Sequence, residues 1–360
     1  MNTRWSISVN DRKSLTPAVA TLYAELHDLT ALDTSTERGR GSFVAKTISG
    51  KRYWYHQRWV GKKRLQRSLG PESPELLDQI AEWKERLRTL RVEAGRRREI
   101  CRALRAALSI STDRLSGAVI RELADAGAFS AGAVLIGTHA FMTYSAMLGR
   151  RFGQALTITG DVDLGVVDVA TKDPAVPFAQ AVQSAHKEFF VVPPRPGSRI
   201  STALKYRGGE ARVELLTPLV KGNPWVPKVV TTMAFGAQQV PFLDYLVKKP
   251  IPATYLFDDG IRIVVPDPAR YALHKLIVAA NRNISAQAKA AKDIDQAAQL
   301  ILALSEIDSR TLSSANRSLA AFGPAYVKKA RAGAVRLPEE IRRLLPKSLR
   351  DAAPRTGSKR

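Results

Sequence analysis

Thr157-Ile158-Thr159-Gly160-Asp161-Val162-Asp163-Leu164-Gly165-Val166-Val167 is the stretch on which the fold turns. Its apolar, β-branched run predicts a largely buried strand. Side chains two apart on a strand share a face, so Asp161 and Asp163 are expected side by side. Two like charges at the tip of a buried strand are costly unless something positive sits between them. A divalent cation does this: Mg²⁺ takes one or two carboxylates together with substrate phosphates. The pair points to metal-assisted phosphoryl chemistry.

Strand and helix signals alternate on both sides of it. Ala133–Gly137 reads as a buried strand, Ala140–Leu148 as a helix, Pro177–Glu188 as a second helix and Arg212–Leu216 as a strand carrying Glu214. Ile261–Val265 reads as a strand closed by Pro266-Asp267-Pro268, followed by helices over 268–282 and 286–305 and a partly helical, basic tail from Tyr326. Upstream, Ser42–Ile48, Arg52–Val60 and Lys63–Leu69 are separated by the turn signals Ser49-Gly50 and Gly61-Lys62, which predicts a three-stranded meander. Ser73-Pro74 then opens a long basic helix over 74–109, with Ser73 as N-cap and Pro74 at the first helical position. A helix over 112–127 follows it, and 18–30 reads as a short helix.

The expected fold is α/β (α+β by some conventions): a small mixed-sheet core, a C-terminal helical subdomain, and an N-terminal antiparallel sheet plus long helix. The expected divisions are 1–41 as extension and linker, 42–110 as a basic arm, 111–265 as the core, 266–325 as the helical subdomain and 326–360 as a basic tail.

The chain has 360 residues, with 56 Lys and Arg against 33 Asp and Glu, a formal net charge of +23. Such a charge draws a protein to polyanions, chiefly nucleic acid. The single cysteine, Cys101, excludes an internal disulfide and a multi-cysteine zinc site, and fits a packing role in a reducing cytoplasm. No apolar run approaches a membrane span, and Asp11-Arg12-Lys13 interrupts any signal-peptide core, so a cytoplasmic protein is expected.

The order strand, Gly137-Thr138, helix, Asp161-Val162-Asp163, helix, Glu214 resembles the nucleotidyltransferase superfamily. More narrowly, residues 130–305 look like the bacterial nucleotidyltransferase-like families related to abortive-infection-type toxins. The segments that carry this are Leu135–Phe141, Thr159–Leu164, Arg212–Pro218, Val265–Leu276 and Lys292–Asp295. Threonine stands at 138 where serine is more usual, glutamate serves as the third carboxylate, and the gap from Gly137 to Asp161 is longer than the minimal pattern.

The resemblance implies transfer of a nucleoside monophosphate from an NTP to an acceptor, with Asp161, Asp163 and Glu214 as catalytic and metal-holding carboxylates for Mg²⁺ or Mn²⁺. It also implies that Gly137, Thr138, Lys275 and the Lys292-Asp293 pair line the nucleotide side. A glycine after a strand lets backbone amides approach phosphates, and lysine neutralises them. Because the chain is so basic, RNA, such as a tRNA end, is the expected acceptor, with protein as the other option. A different class stays open: a nucleic-acid-binding accessory or antitoxin-like protein of a mobile or defence element, with a non-catalytic core and a partner protein.

The meander interleaves Tyr53, Trp54, Tyr55 and Trp59 with Lys51, Arg52, Arg58, Lys62, Lys63 and Arg64. Cations with aromatics on a small sheet suit phosphate contact and base stacking, and the meander-plus-helix weakly resembles the arm-type DNA-binding domains of integrases. The aromatics can equally serve as the sheet's own core against the helix. Arg96-Arg97-Arg98 reads as an extension of the basic footprint or as a solvated helix face.

Overall fold

The computed structural model describes residues 17–32, 42–60, 63–153, 160–167, 175–219, 223 and 226–350. Helix α1 (Pro17–Leu32) precedes an antiparallel sheet of β1 (Ser42–Ile48), β2 (Lys51–Val60) and β3 (Lys63–Pro71). Helix α2 (Pro74–Leu108) follows, with the Ser73 hydroxyl accepting from the Leu76 amide at 3.2 Å and Pro74 at its start. A 35-residue helix rises about 52 Å at 1.5 Å per residue. Its C-terminal end is buried: Ile100, Cys101, Leu104 and Leu108 pack with Tyr23 and Leu26 of α1. Its N-terminal part carries the small sheet, where Trp83 meets Phe43 and His56 at ring separations of 6.3 and 6.2 Å.

Charge fastens α2 to the rest of the molecule. Arg96 pairs with Glu25 of α1 at 2.5 Å, and Arg97 with Asp259 at 2.9 Å. Arg98 reaches Asp258 at 3.7 Å. The run therefore helps seat α2: Arg97 is buried in its pair, while Arg96 and Arg98 pair at the surface and stay exposed. Asp259 is also bound by Arg121 of α3 (Arg114–Asp125), so one carboxylate joins two nearly buried guanidiniums.

The central sheet joins β4 (Ala133–Ile136), β5 (Val162–Val166), β8 (Arg212–Pro218), β10 (Phe235–Val240) and β9 (Lys228–Val230) in that order, with β6 (Phe189–Val191) paired to β7 (Ala203–Tyr206) and β7 to β8. Strands β5, β8 and β10 run parallel, and β4, β7 and β9 antiparallel to their neighbours. β7 and β10 share one edge of β8: β7 takes Arg212–Glu214 and β10 takes Leu216–Pro218. Helices α4 (Gly137–Met147), α5 (Phe178–Ala185) and α6 (Leu243–Val247) complete the core with the hairpin β11 (Ile251–Tyr255) and β12 (Ile261–Val265).

Helices α7 (Pro268–Asn281), α8 (Gln287–Ala320) and α9 (Pro324–Ala334), then short α10 (Glu339–Arg342) and α11 (Lys347–Arg350), form the C-terminal helical region. α7 is capped by Asp267, whose carboxylate accepts from the Ala269 and Arg270 amides, both at 3.0 Å. α9 lies so close to α7 that a Cβ on Gly333 would collide with the Leu276 carbonyl. Tyr326 of α9 donates to the Asp244 carboxylate of α6 at 2.7 Å.

The mixed α/β class, the antiparallel N-terminal sheet and the helical C-terminus are as expected. Three details differ. α4 begins at Gly137, directly after β4, not at Ala140. Asp161 precedes β5 instead of lying on it. α8 runs past 305 to Ala320, across a break at Asp308 (φ −157°, ψ 104°). Sequence patterning also passes over β6, β7, β9, β10 and β11. β6, β7 and β9 are only 3, 4 and 3 residues long, and Gly236 and two glutamines interrupt the apolar run of β10.

Asp259→Ala strips the charge partner from Arg97 and Arg121, whose side chains are 5% and 6% exposed. Breaking a buried pair this way costs about 3–5 kcal/mol. The expected result is a lower urea midpoint with an unchanged slope, and a smaller loss for Asp259→Asn.

Candidate active site

The register of β5 against β8 builds the site. Asp163 sits opposite Glu214 on the parallel neighbour, so both carboxylates rise from one face of the sheet. On its other side Asp163 faces Ile136, the last residue of β4, and Gly137 follows with φ +67°. A Cβ at 137 would stand 2.6 Å from Asp163 Oδ2. Glycine is therefore required twice there, by conformation and by the approach of the carboxylate. Gly137 also opens α4, which has no side-chain cap, so its first amides and the half-buried Thr138 face the same end of the sheet. The Tyr271 hydroxyl fixes this junction, 2.8 Å from the Gly137 carbonyl and 3.1 Å from the Gln296 amide.

Electrostatics mark Asp163 as the strained member. Burial pushes its carboxyl up to about 6, and the neighbouring charges of Glu214 and then Asp161 push the same way. Lys275 and Arg212 pull against them without winning. Glu214 and Asp161 thus both stand close enough to Asp163 to raise it. Asp161 is exposed at the rim.

Glu214 is held by its strand neighbour Arg212, Nε to Oε1 at 2.5 Å. This bears on metal binding. Among the described residues, no group of three or more His, Cys, Asp and Glu side chains is arranged to hold a metal ion. The donor chemistry suits Mg²⁺ or Mn²⁺ at Asp163 with Asp161, and the raised carboxyl of Asp163 is what a cation there would relieve. Glu214, by contrast, is turned to a guanidinium and not to its two fellow carboxylates.

The helical side is basic. Asp293, buried on α8, takes Lys275 Nζ on Oδ1 at 2.7 Å and Arg282 Nε on Oδ2 at 2.5 Å. Burial alone would raise its carboxyl, but the two cations hold it below the usual range. Asp293 is thereby a support for Lys275 and not a group facing the cleft. Half-buried Lys292 has its ammonium pushed down, first by burial and then by Lys275, and it feels Asp161.

A family model described as Nucleotidyltransferase matches residues 114–321, more than half of the chain. The chain belongs to that nucleotidyltransferase family. A second model, described only as a domain of unknown function (DUF6788), matches residues 13–79 of this nucleotidyltransferase. No curated protein and no solved structure matches it.

Some residues around the carboxylates escape the motif. Arg212 is visible by the logic that pairs Asp161 with Asp163, since it lies two residues from Glu214 on the same strand face. Tyr271, Arg282 and Gln296 carry no local signal, because only the packing of α7 and α8 brings them in.

On the N-terminal sheet, pairing sorts the expected nucleic-acid residues by face. Trp54 and His56 share the face of Phe43, towards α2; Trp54 donates to Glu72 at 2.8 Å and lies beside Arg52 and Lys84. Tyr53 and Tyr55 occupy the opposite face with Lys46, whose ammonium stands 4.9 Å from the Tyr55 ring. Lys51 and Arg52 are exposed at the start of β2. Arg58, Lys63 and Arg64 lie on the far ends of β2 and β3, and Lys62 falls outside the described residues.

With its folded-state carboxyl near 6 and an ordinary value near 3.8, Asp163 binds more proton folded than unfolded between those values. Stability contributed by this group therefore falls as pH rises from about 4 to 6, and stays lost above. Asp163→Asn is expected to raise the melting temperature of the ligand-free protein at pH 8 and to change it little at pH 4, as read by calorimetry at both values.

Proposed function

We propose that this chain transfers a nucleoside monophosphate from an NTP to a hydroxyl of a nucleic-acid acceptor, RNA such as a tRNA end being the best fit. The observation that carries the proposal is the in-register Asp163–Glu214 pair with Gly137 closed against the Asp163 carboxylate. Metal-dependent phosphoryl chemistry needs clustered carboxylates beside a backbone that phosphate can approach, and this junction offers both. Residues 42–110 would act as the arm that grips the acceptor, 111–265 as the catalytic core and 266–325 as the helical wall.

Asp163 and Asp161 would hold a divalent cation, Mg²⁺ or Mn²⁺; bound there, it supplies charge neutralisation for the triphosphate and activation of the attacking hydroxyl. The amides at the start of α4 and the Thr138 hydroxyl bind phosphate oxygens. Lys275, held at the cleft by Asp293, neutralises the developing charge on the leaving pyrophosphate. Glu214, once parted from Arg212, takes the proton of the acceptor hydroxyl. The +23 charge and the Lys46, Tyr53 and Tyr55 face favour an acceptor that is long, anionic and able to stack.

A second reading has one observation in its favour. Glu214 is already ion-paired, as it would be in a core that binds nucleic acid without catalysis. The two part in one assay. Purified protein, Mg²⁺ and each labelled NTP in turn are incubated with total RNA. Label is expected to enter the RNA, and Asp163→Ala is expected to lower the rate by about 10²-fold or more. Absence of label with every NTP, or equal labelling by the variant, would favour the binding protein. Lys275→Met should raise the KM for NTP more than the KM for RNA.

A further inference from the structure

Beside Glu214 the sheet edge opens. β7 pairs with Arg212–Glu214 and β10 with Leu216–Pro218, and where the two strands part they leave a cavity of about 190 Å³. Its polar lining comes from Arg195, Ser198, Ser201, Thr202, Arg212 and Gln238. Two guanidiniums, three hydroxyls and an amide with no carboxylate among the lining residues give the cavity a basic, hydrogen-bonding lining, with Arg212 shared between it and Glu214. Pairing fixes which face it belongs to. Ala203 lies opposite Glu214 and Gln238 opposite Leu216, so these residues, Arg212 and Asp163 point to one side of the sheet. Cavity and catalytic carboxylates therefore share a floor, with Arg212 belonging to both.

We infer that this cavity is the acceptor subsite, binding the last phosphodiester of an RNA 3′ end and presenting the terminal hydroxyl to Glu214. The inference rests on the nucleotidyl-transfer reading above. Three observations carry it. The size suits a fragment: pockets that bury a whole drug-sized ligand run to roughly 300–1,000 Å³, and this one is smaller. The position is across Glu214 from Gly137 and α4, where a triphosphate is expected, so the cavity falls on the attacking side of the reaction. The chemistry links occupancy to catalysis. A phosphodiester in the cavity competes with Glu214 for Arg212, and a Glu214 released from the 2.5 Å contact is free to take a proton. Arg212 is then a positioning residue that keeps the carboxylate tied until an acceptor arrives.

The test uses the full chain and reads binding apart from turnover. A 5′-end fluorescent RNA oligonucleotide with a free 3′ hydroxyl is titrated by anisotropy, and a fluorescent NTP in parallel, against wild type, Arg195→Ala and Gln238→Ala. Neither substituted residue belongs to the carboxylate cluster or the phosphate junction. Arg195→Ala is expected to weaken RNA binding about tenfold, the loss of one charge-assisted contact, and to leave NTP binding unchanged. A dinucleoside monophosphate should displace the RNA from wild type but not its uncharged methylphosphonate analogue, and inorganic phosphate should compete only weakly. Weakened NTP binding in Arg195→Ala would make the cavity a triphosphate site and overturn the inference. So would RNA affinities unaltered by both substitutions, equal competition by the neutral analogue, or no RNA binding by wild type. Labelling of any acceptor by wild type in the transfer assay would leave the nucleotidyl-transfer reading standing in each of those cases.

Discussion

Repulsion between two carboxylates placed in register, Asp163 and Glu214, is the constraint around which the core is arranged. The sheet brings them together, and no apolar neighbour can relieve the cost. Relief comes from two cations: Lys275 on α7, outside the sheet, and Arg212 on the same strand as Glu214. The relief is incomplete, since Asp163 stays near 6. A site kept short of positive charge in this way attracts a cation or a metal-bound triphosphate more strongly than a balanced one would.

The helical wall is built to supply that positive charge at a fixed place. A lysine on a helix usually trails into solvent, yet Lys275 is tied to buried Asp293, and its ammonium also stands 5.3 Å from the Tyr271 ring. The same tyrosine fixes Gly137, so the glycine junction and the lysine are set from one residue. Misplacing α7 would disturb both together.

What was legible in the amino-acid order follows from locality. Asp161, Asp163 and Glu214 show as a pair and a single carboxylate in apolar strands, and the meander and long helix show through turn residues and a proline at N1. Asp293 was legible as a residue of the site but not in its orientation, since its partners are 18 and 11 positions away on a different helix. The aromatics of the meander were legible as a group, but which of them face α2 depends on the β1–β2 register. The strands flanking the cavity were missed for the same reason. β7 and β10 pair with β8 in the fold, and by themselves one is only 4 residues long and the other is broken by Gly236 and two glutamines.

The close seating of α9 on α7 has a practical consequence. The nucleotidyltransferase family match ends at residue 321, before α9 begins. Yet Gly333 rests on the backbone of Leu276, next to Lys275, and Tyr326 ties α9 to α6 beneath the sheet. Evolutionary and mechanical boundaries therefore do not coincide here. A protein shortened to the matched span would keep every carboxylate of the site and lose the brace that holds the lysine's helix against them.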